Sequence, residues 1–241
     1  VEIKGKVAMV TGAARRVGQV IALALAEQGA HVAFTYHTGP WQETLEGIQA
    51  YGVEGMALSL DVLDPGGPAA CIEQVIGRFG RVDILVNNAS VWQSAPFLEI
   101  TREQWETSLA VNLTGPFLCS QAVAPHMLRQ KSGLILNITD LSVYQTWPRF
   151  ADHSASKAGL VALTRVMAAE LAPHVRVNAI APGTVLLPEN ATEAKVQWAE
   201  QNSLLKRVGT PEDVAKTVLF LTEMDFVTGA VYLVDGGRAL V

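Results

Sequence analysis

The chain has 241 residues, of which 49% are hydrophobic and 17% charged, and its formal net charge is −5. That length fits one large α/β domain over residues 1–241 with a substantial core, and the composition excludes a disordered chain. The mild acidic balance without a basic run argues against nucleic acid as a partner, and no apolar run reaches the roughly eighteen residues of a membrane span.

Short apolar runs alternate with helical patterns from end to end. Val7–Val10 reads as a buried strand that breaks at Thr11-Gly12, and Val17–Ala26 as a helix closed by Gly29. A strand over 31–36, a helix over 41–51, a strand over 55–60 and a helix over 69–79 follow. A fourth strand over 82–86 leads to Asn87-Asn88, and a long helix over 102–130 is expected to bend at Gly115-Pro116, where proline removes a backbone donor. Strands over 134–138 and 175–180 flank a helix over 154–171, and a helix over 211–221 precedes a last strand over 231–234. Thr210 is placed to cap that helix, with Pro211 at its first position. Strict alternation with continuously apolar strands implies a doubly wound Rossmann-type fold, a seven-stranded parallel sheet with helices on both faces. Ligands bind such sheets at the carboxyl ends of the strands. The long irregular section 184–206 is the candidate flap.

The two cysteines, Cys71 and Cys119, show neither metal spacing nor a disulfide framework, so no metal site is expected. The opening Val1–Lys6 enters a strand without the residue order of a signal peptide, which predicts a cytoplasmic location.

Thr11-Gly12-Ala13-Ala14-Arg15-Arg16-Val17-Gly18 joins the first strand to the first helix. Gly12 permits a tight turn, Gly18 permits close helix–sheet packing, and the free N–H groups at the helix start suit a pyrophosphate. Ala14 holds the middle-glycine position of the usual fingerprint, so the motif draws its weight from its strand–helix context. Arg15 and Arg16 bring positive charge to the phosphates. The second strand ends Tyr36-His37-Thr38, without the acid that would bind a ribose 2′-hydroxyl. Both features favour NADP(H) over NAD, with Arg15 the expected 2′-phosphate partner.

With these residues placed, the chain resembles the short-chain dehydrogenase/reductase family over nearly its full length. The ordered markers are Thr11 to Gly18, Asp61, Asn87-Asn88-Ala89, Asn112, Lys157, Pro182-Gly183 and the closing Val234-Asp235-Gly236-Gly237. The resemblance implies that Asp61 and Val62 flank the adenine, and that Asn88, Ala89, Pro182 and Gly183 line the cofactor cleft. It implies that Asn112 holds a relay water, that Lys157 binds the nicotinamide ribose, and that the protein is a homotetramer. Read alone, Asp61 is a loop acid and Asn112 a capping or surface amide. Within the family, Arg16, Tyr36-His37 and Asp140 are similar to pteridine reductases. Two departures stand out: Thr38 replaces an expected arginine, and His153 replaces the family's catalytic tyrosine, which pteridine reductases keep.

His153 and Lys157 are four residues apart and share a helix face. A histidine starts near 6.5, close to operating pH, and suits general acid work. Lys157 disfavours its protonated form, whereas Asp140, if near, favours it, and the sequence does not rank the two. The pocket walls are expected to include Ser90, Val91, Trp92, Tyr144, Trp147, Val185 and Leu186, an aromatic set suited to a flat ring. Tyr144 is a substitute acid on this reading only if it reaches the pocket. The sequence therefore predicts an NADP-dependent reductase of a small-molecule ring C=N or carbonyl, with a pteridine-like substrate favoured. The alternatives are a 3-oxoacyl thioester or ketone reductase, and a nucleotide-binding subunit without turnover.

Overall fold

The computed structural model describes residues 2–62, 64–188 and 190–241. Seven strands, β1 (Val7–Val10), β2 (His31–Tyr36), β3 (Gly55–Ser59), β4 (Ile84–Asn87), β5 (Gly133–Ile138), β6 (Val175–Pro182) and β7 (Val231–Val234), form one sheet. Its order is β3-β2-β1-β4-β5-β6-β7, and every neighbouring pair is parallel. Chain order reverses between β1 and β4, which opens a crevice at the carboxyl ends of those strands.

Strand residues alternate between two cores. Ala8, Val10, Val32, Phe34, Val86 and Leu136 face one layer, which contains α1 (Arg16–Glu27), α2 (Gln42–Ala50) and α8 (Pro211–Glu223). Val7, Met9, Ala33, Leu85, Ile135 and Val177 face the other, which contains α3 (Gly67–Phe79), α5 (Gly115–Gln130) and α6 (Ala151–Leu171). Each fully buried side chain of this kind contributes about 1.5–3 kcal/mol, so both faces of every central strand stabilise the sheet. Among the described residues, no helix is long and apolar enough to cross a membrane.

Three differences from the sequence reading bear on the site. The long helix contains a π-helical turn, Ala110–Thr114, between α4 (Arg102–Leu109) and α5. The helical run 102–130 is unbroken, and Pro116 follows the π turn as the second residue of α5, beside the Gly115-Pro116 position where a bend was expected. Second, α6 begins at Ala151, so His153 sits in its first turn. Third, the 184–206 section is not irregular throughout: it contains α7 (Glu193–Gln201), whose N-cap Thr192 accepts from the Lys195 N–H. Glu189 within that section, like Val1, lies outside the described residues. The weak apolar periodicity of Glu193–Gln201, in which only Ala199 is buried, explains why pattern alone did not reveal a helix there.

Candidate active site

The turn after β1 is built by steric necessity. Gly12 has φ of +63°, and a Cβ there would lie 2.9 Å from Ala89 Cα. At Gly18 a Cβ would lie 2.5 Å from Asn88 Nδ2 and 2.6 Å from the Gly12 carbonyl oxygen. Thr11 Oγ1 accepts from the backbone N–H groups of Asn88 and Ala89, both at 3.0 Å. Asn88 Nδ2 donates back to the carbonyls of Thr11 (2.9 Å) and Gly12 (3.1 Å). These bonds lock the β1 and β4 turns together and leave a narrow floor at the start of α1, a cradle that a side chain on either glycine would fill. The expected Thr11, Gly12, Gly18, Asn88 and Ala89 are thus brought together as one unit.

Arg15 is the extended N-cap of α1 and is exposed. Arg16 is exposed too, but it lines the central cleft and holds φ at +59°, a left-handed conformation that costs a non-glycine residue about 1–2 kcal/mol. Toward the outer end of the cofactor groove, Tyr36 stacks on Trp41, with ring centroids 5.5 Å apart. His37 Nε2 lies 3.8 Å from Asp61 Oδ2, and both side chains are exposed. Val62 packs near Gly115. None of Arg15, Tyr36, His37, Asp61 or Val62 lines the central cleft.

The cleft itself has a volume of about 920 Å³. Val17, Asn88, Ser90, Asp140, His153, Lys157, Pro182, Gly183 and Val185 line it, as do Trp92 and Trp147. Phe150, which the sequence reading missed, stacks on Trp92 at 5.2 Å and meets Trp147 edge-on at 6.3 Å. Tyr144 is a correction. The turn Leu141–Val143 carries it away, its backbone N–H bonds the Leu141 carbonyl, and its half-exposed side chain is no part of the cleft wall.

At the cleft's inner end, His153 Nε2 and Asp140 Oδ2 share a short hydrogen bond, with the histidine almost fully buried and the carboxylate nearly so. His153 Nδ1 lies 3.1 Å from the carbonyl oxygen of Val91. Asn112 Nδ2 is 3.4 Å from the same ring atom, but its hydrogens go to the carbonyl of Val91 and to Ser156 Oγ, each at 3.1 Å. A hydrogen bond between a ring nitrogen and a carboxylate oxygen requires one proton between Nε2 and Oδ2. The other carboxylate oxygen, Asp140 Oδ1, accepts from the Ser142 N–H (2.8 Å) and its hydroxyl (2.5 Å). Burial pushes the Asp140 carboxyl up, but the hydrogen bond and charge of His153, then Lys157 and Ser142, outweigh it and hold the carboxyl below its ordinary value.

Lys157 is buried one turn along α6 and donates from Nζ to the Ile138 carbonyl at 2.9 Å. Burial lowers its pKa, and the charge of Asp140 opposes that shift. Asn112, fully buried in the π turn, accepts at Oδ1 from the Ser90 hydroxyl and the Val91 N–H, both at 2.9 Å. Its side chain therefore braces the β4 turn against α6 and fixes the carbonyl that orients His153. A buried amide with four protein partners was not legible from one asparagine in a helical pattern.

Comparison with known proteins identifies the family and the fold. The family described as Enoyl-(Acyl carrier protein) reductase matches residues 12–239. The 3-oxoacyl-[acyl-carrier-protein] reductase FabG of Staphylococcus epidermidis is 38% identical over 240 residues, 96% of this chain and 98% of that protein. The crystal structure of a putative short-chain alcohol dehydrogenase from Sinorhizobium meliloti superposes with a TM-score of 0.94 at 36% identity, covering 98% of this chain and 97% of that one. Acetoin dehydrogenase YohF from Salmonella typhimurium gives 0.90 at 35% identity, with the same coverage of both chains. The chain belongs to the short-chain dehydrogenase/reductase family of oxidoreductases.

Proposed function

We propose that the protein is an NADP(H)-dependent carbonyl reductase in which the His153–Asp140 pair replaces a tyrosine as proton source. The observation that carries the reading is the buried pair itself: one proton held between Nε2 and Oδ2 at the edge of a 920 Å³ cleft. The glycine-floored turn, Arg15 and Arg16, the Tyr36–Asp61 group and Lys157 fit a dinucleotide, with Lys157 Nζ retaining donors for ribose hydroxyls. A nicotinamide bound there supplies the hydride that reaches the carbonyl carbon. The pair gives the proton shared by Nε2 and Oδ2 to a carbonyl oxygen that approaches this edge. Asp140 keeps the ring oriented, and Val91 O and Asn112 prevent its rotation. The pair regains a proton from water, and an alcohol leaves. Asn112 acts as a brace here and, by family resemblance, holds a relay water.

The pteridine-like preference expected from Arg16, Tyr36-His37 and Asp140 takes second place. The similar proteins named above are called 3-oxoacyl-carrier, alcohol and acetoin enzymes. One observation still favours a flat ring, the aromatic wall of Trp92, Phe150 and Trp147. The test is NADPH oxidation with a 3-oxoacyl thioester, a 1,2-diketone and a dihydropterin, beside an NADPH binding titration. Turnover of the carbonyls supports the proposal, and turnover of the pterin alone supports the second reading. NADPH binding without oxidation of any substrate would favour a non-catalytic nucleotide-binding subunit. A homotetramer and a cytoplasmic location accompany the proposal by family resemblance.

A further inference from the structure

The far wall of the cleft carries positive charge that proton delivery does not use. Arg238 follows β7 in the turn Arg238–Leu240 and lines the cleft. Its guanidinium carbon lies 4.8 Å from the ring centre of Trp198, on α7, and 5.7 Å from that of Trp147. Its Nη1 donates to Thr184 Oγ1 at 2.5 Å, and its backbone carbonyl accepts from Gln145 Nε2 at 2.7 Å. The guanidinium is thus held in place by neutral partners.

Its charge is not neutralised by direct contact. Asp235, the nearest acid in sequence, uses Oδ1 on the Gly237 N–H (2.9 Å) and Oδ2 on the Ala239 N–H (2.7 Å), so it shapes the turn. Among the described residues, no carboxylate forms an ion pair with Arg238. Burial lowers its pKa, and the charge of Asp235 opposes that shift. Lys195 also lines the cleft, and the one acidic side chain among the described lining residues, Asp140, is engaged by His153. Trp147 Nε1 is buried without an acceptor among the described residues. Indole rings against a guanidinium restrict it sideways and leave its planar edge, the edge that matches two carboxylate oxygens.

We propose that Arg238, supported by Lys195, is a recognition site for a substrate carboxylate, so that the cleft prefers free oxo acids to neutral ketones or esters. The reaction part rests on the carbonyl reductase reading above, whereas the binding part does not. Trp198 and Lys195 both lie on α7, so this helix contributes to the same wall of the cleft as Arg238.

The test is a titration of the full-length protein, followed by intrinsic tryptophan fluorescence and calorimetry, with hexanoate and its neutral isostere hexanamide. Hexanoate should bind at least tenfold more tightly. Arg238→Gln, which keeps a planar side chain without the charge, should abolish the difference, and Arg238→Lys should retain part of it. Lys195→Met should reduce it severalfold. Equal affinities, no saturable hexanoate binding, or a preference that survives in folded Arg238→Gln would overturn the proposal. A steady-state comparison of an oxo acid with its methyl ester separates the two readings. Arg238→Gln should raise KM for the acid at least tenfold with kcat within threefold. Turnover without carboxylate preference would sink this inference alone. Carboxylate binding without turnover of any carbonyl would sink carbonyl reduction and leave the Arg238 site standing.

Discussion

The two ends of the cleft are constructed on different principles. At the β1 turn, function is carried by the backbone: Gly12 and Gly18 are there because no Cβ fits, and Thr11 and Asn88 serve mainly to clamp one turn to another. At the start of α6, function is carried by side-chain identity: His153, Asp140 and Lys157 are set in place by Val91, Asn112, Ser142 and Ile138. The first kind of site tolerates almost no change of residue, because sterics dictate it. The second can exchange its chemical groups while the surrounding frame stays, and on the proposed reading a histidine in place of tyrosine is such an exchange.

Mutations separate the two ends. The largest effect is expected from His153→Phe or Asp140→Asn, which should lower the rate of carbonyl reduction by about 10²–10⁴-fold, with NADPH affinity within threefold. Stopped-flow oxidation and a fluorescence titration measure the two quantities side by side. Parallel loss of cofactor binding would mean that the two ends are not separable. Gly18→Ala should do the converse: overpacking against Asn88 and Gly12 costs about 1–3 kcal/mol of stability, with at least a tenfold loss of NADPH affinity. Thermal unfolding beside the same titration checks both.

Acidification offers a subtler contrast. The folded-state pKa of Asp140 lies below its ordinary value, chiefly because His153 outweighs burial. The unfolded chain therefore takes up this proton first. The stabilisation is present above the unfolded carboxylate pKa of about 3.9 and is lost as pH falls through the lower folded value. Acid unfolding followed by circular dichroism should show wild type losing its advantage over Asp140→Asn across that interval. A constant difference between the two proteins would contradict the coupling. The smallest effect is expected at Arg16→Gly. Relief of the left-handed backbone is partly offset by a more flexible unfolded chain, a net gain of at most about 1 kcal/mol. The same variant should weaken NADPH binding, because it removes a cation from the cleft.

The backbone-borne end was largely legible in the sequence. Strand positions, the glycine spacing and the Asn88-Ala89 turn follow from periodicity and steric need, and the structure puts them where expected. At the side-chain end, His153, Lys157 and Asp140 were identifiable, but their relation was not. Whether a carboxylate thirteen residues from a histidine touches it depends on the β5–α6 connection, which no local pattern encodes. Tyr144 was misplaced for the same reason. Phe150, Gln145 and Arg238 escaped notice because each belongs to a loop, and their convergence on one cleft depends on how β5, α6 and β7 are set in the sheet. The π turn at Ala110–Thr114 was equally hidden, since its sequence pattern reads as an ordinary helix with a proline after it.

The most direct test of the account is single-turnover oxidation of protein-bound NADPH by a 3-oxoacyl thioester or a 1,2-diketone, in wild type and in His153→Phe. The account predicts rapid oxidation by wild type, slower in D₂O because a proton moves in the same step, and at least a 10²-fold loss in the variant with cofactor still bound. A variant within threefold of wild type, or a wild type that binds NADPH and oxidises it with none of these carbonyls, would contradict it.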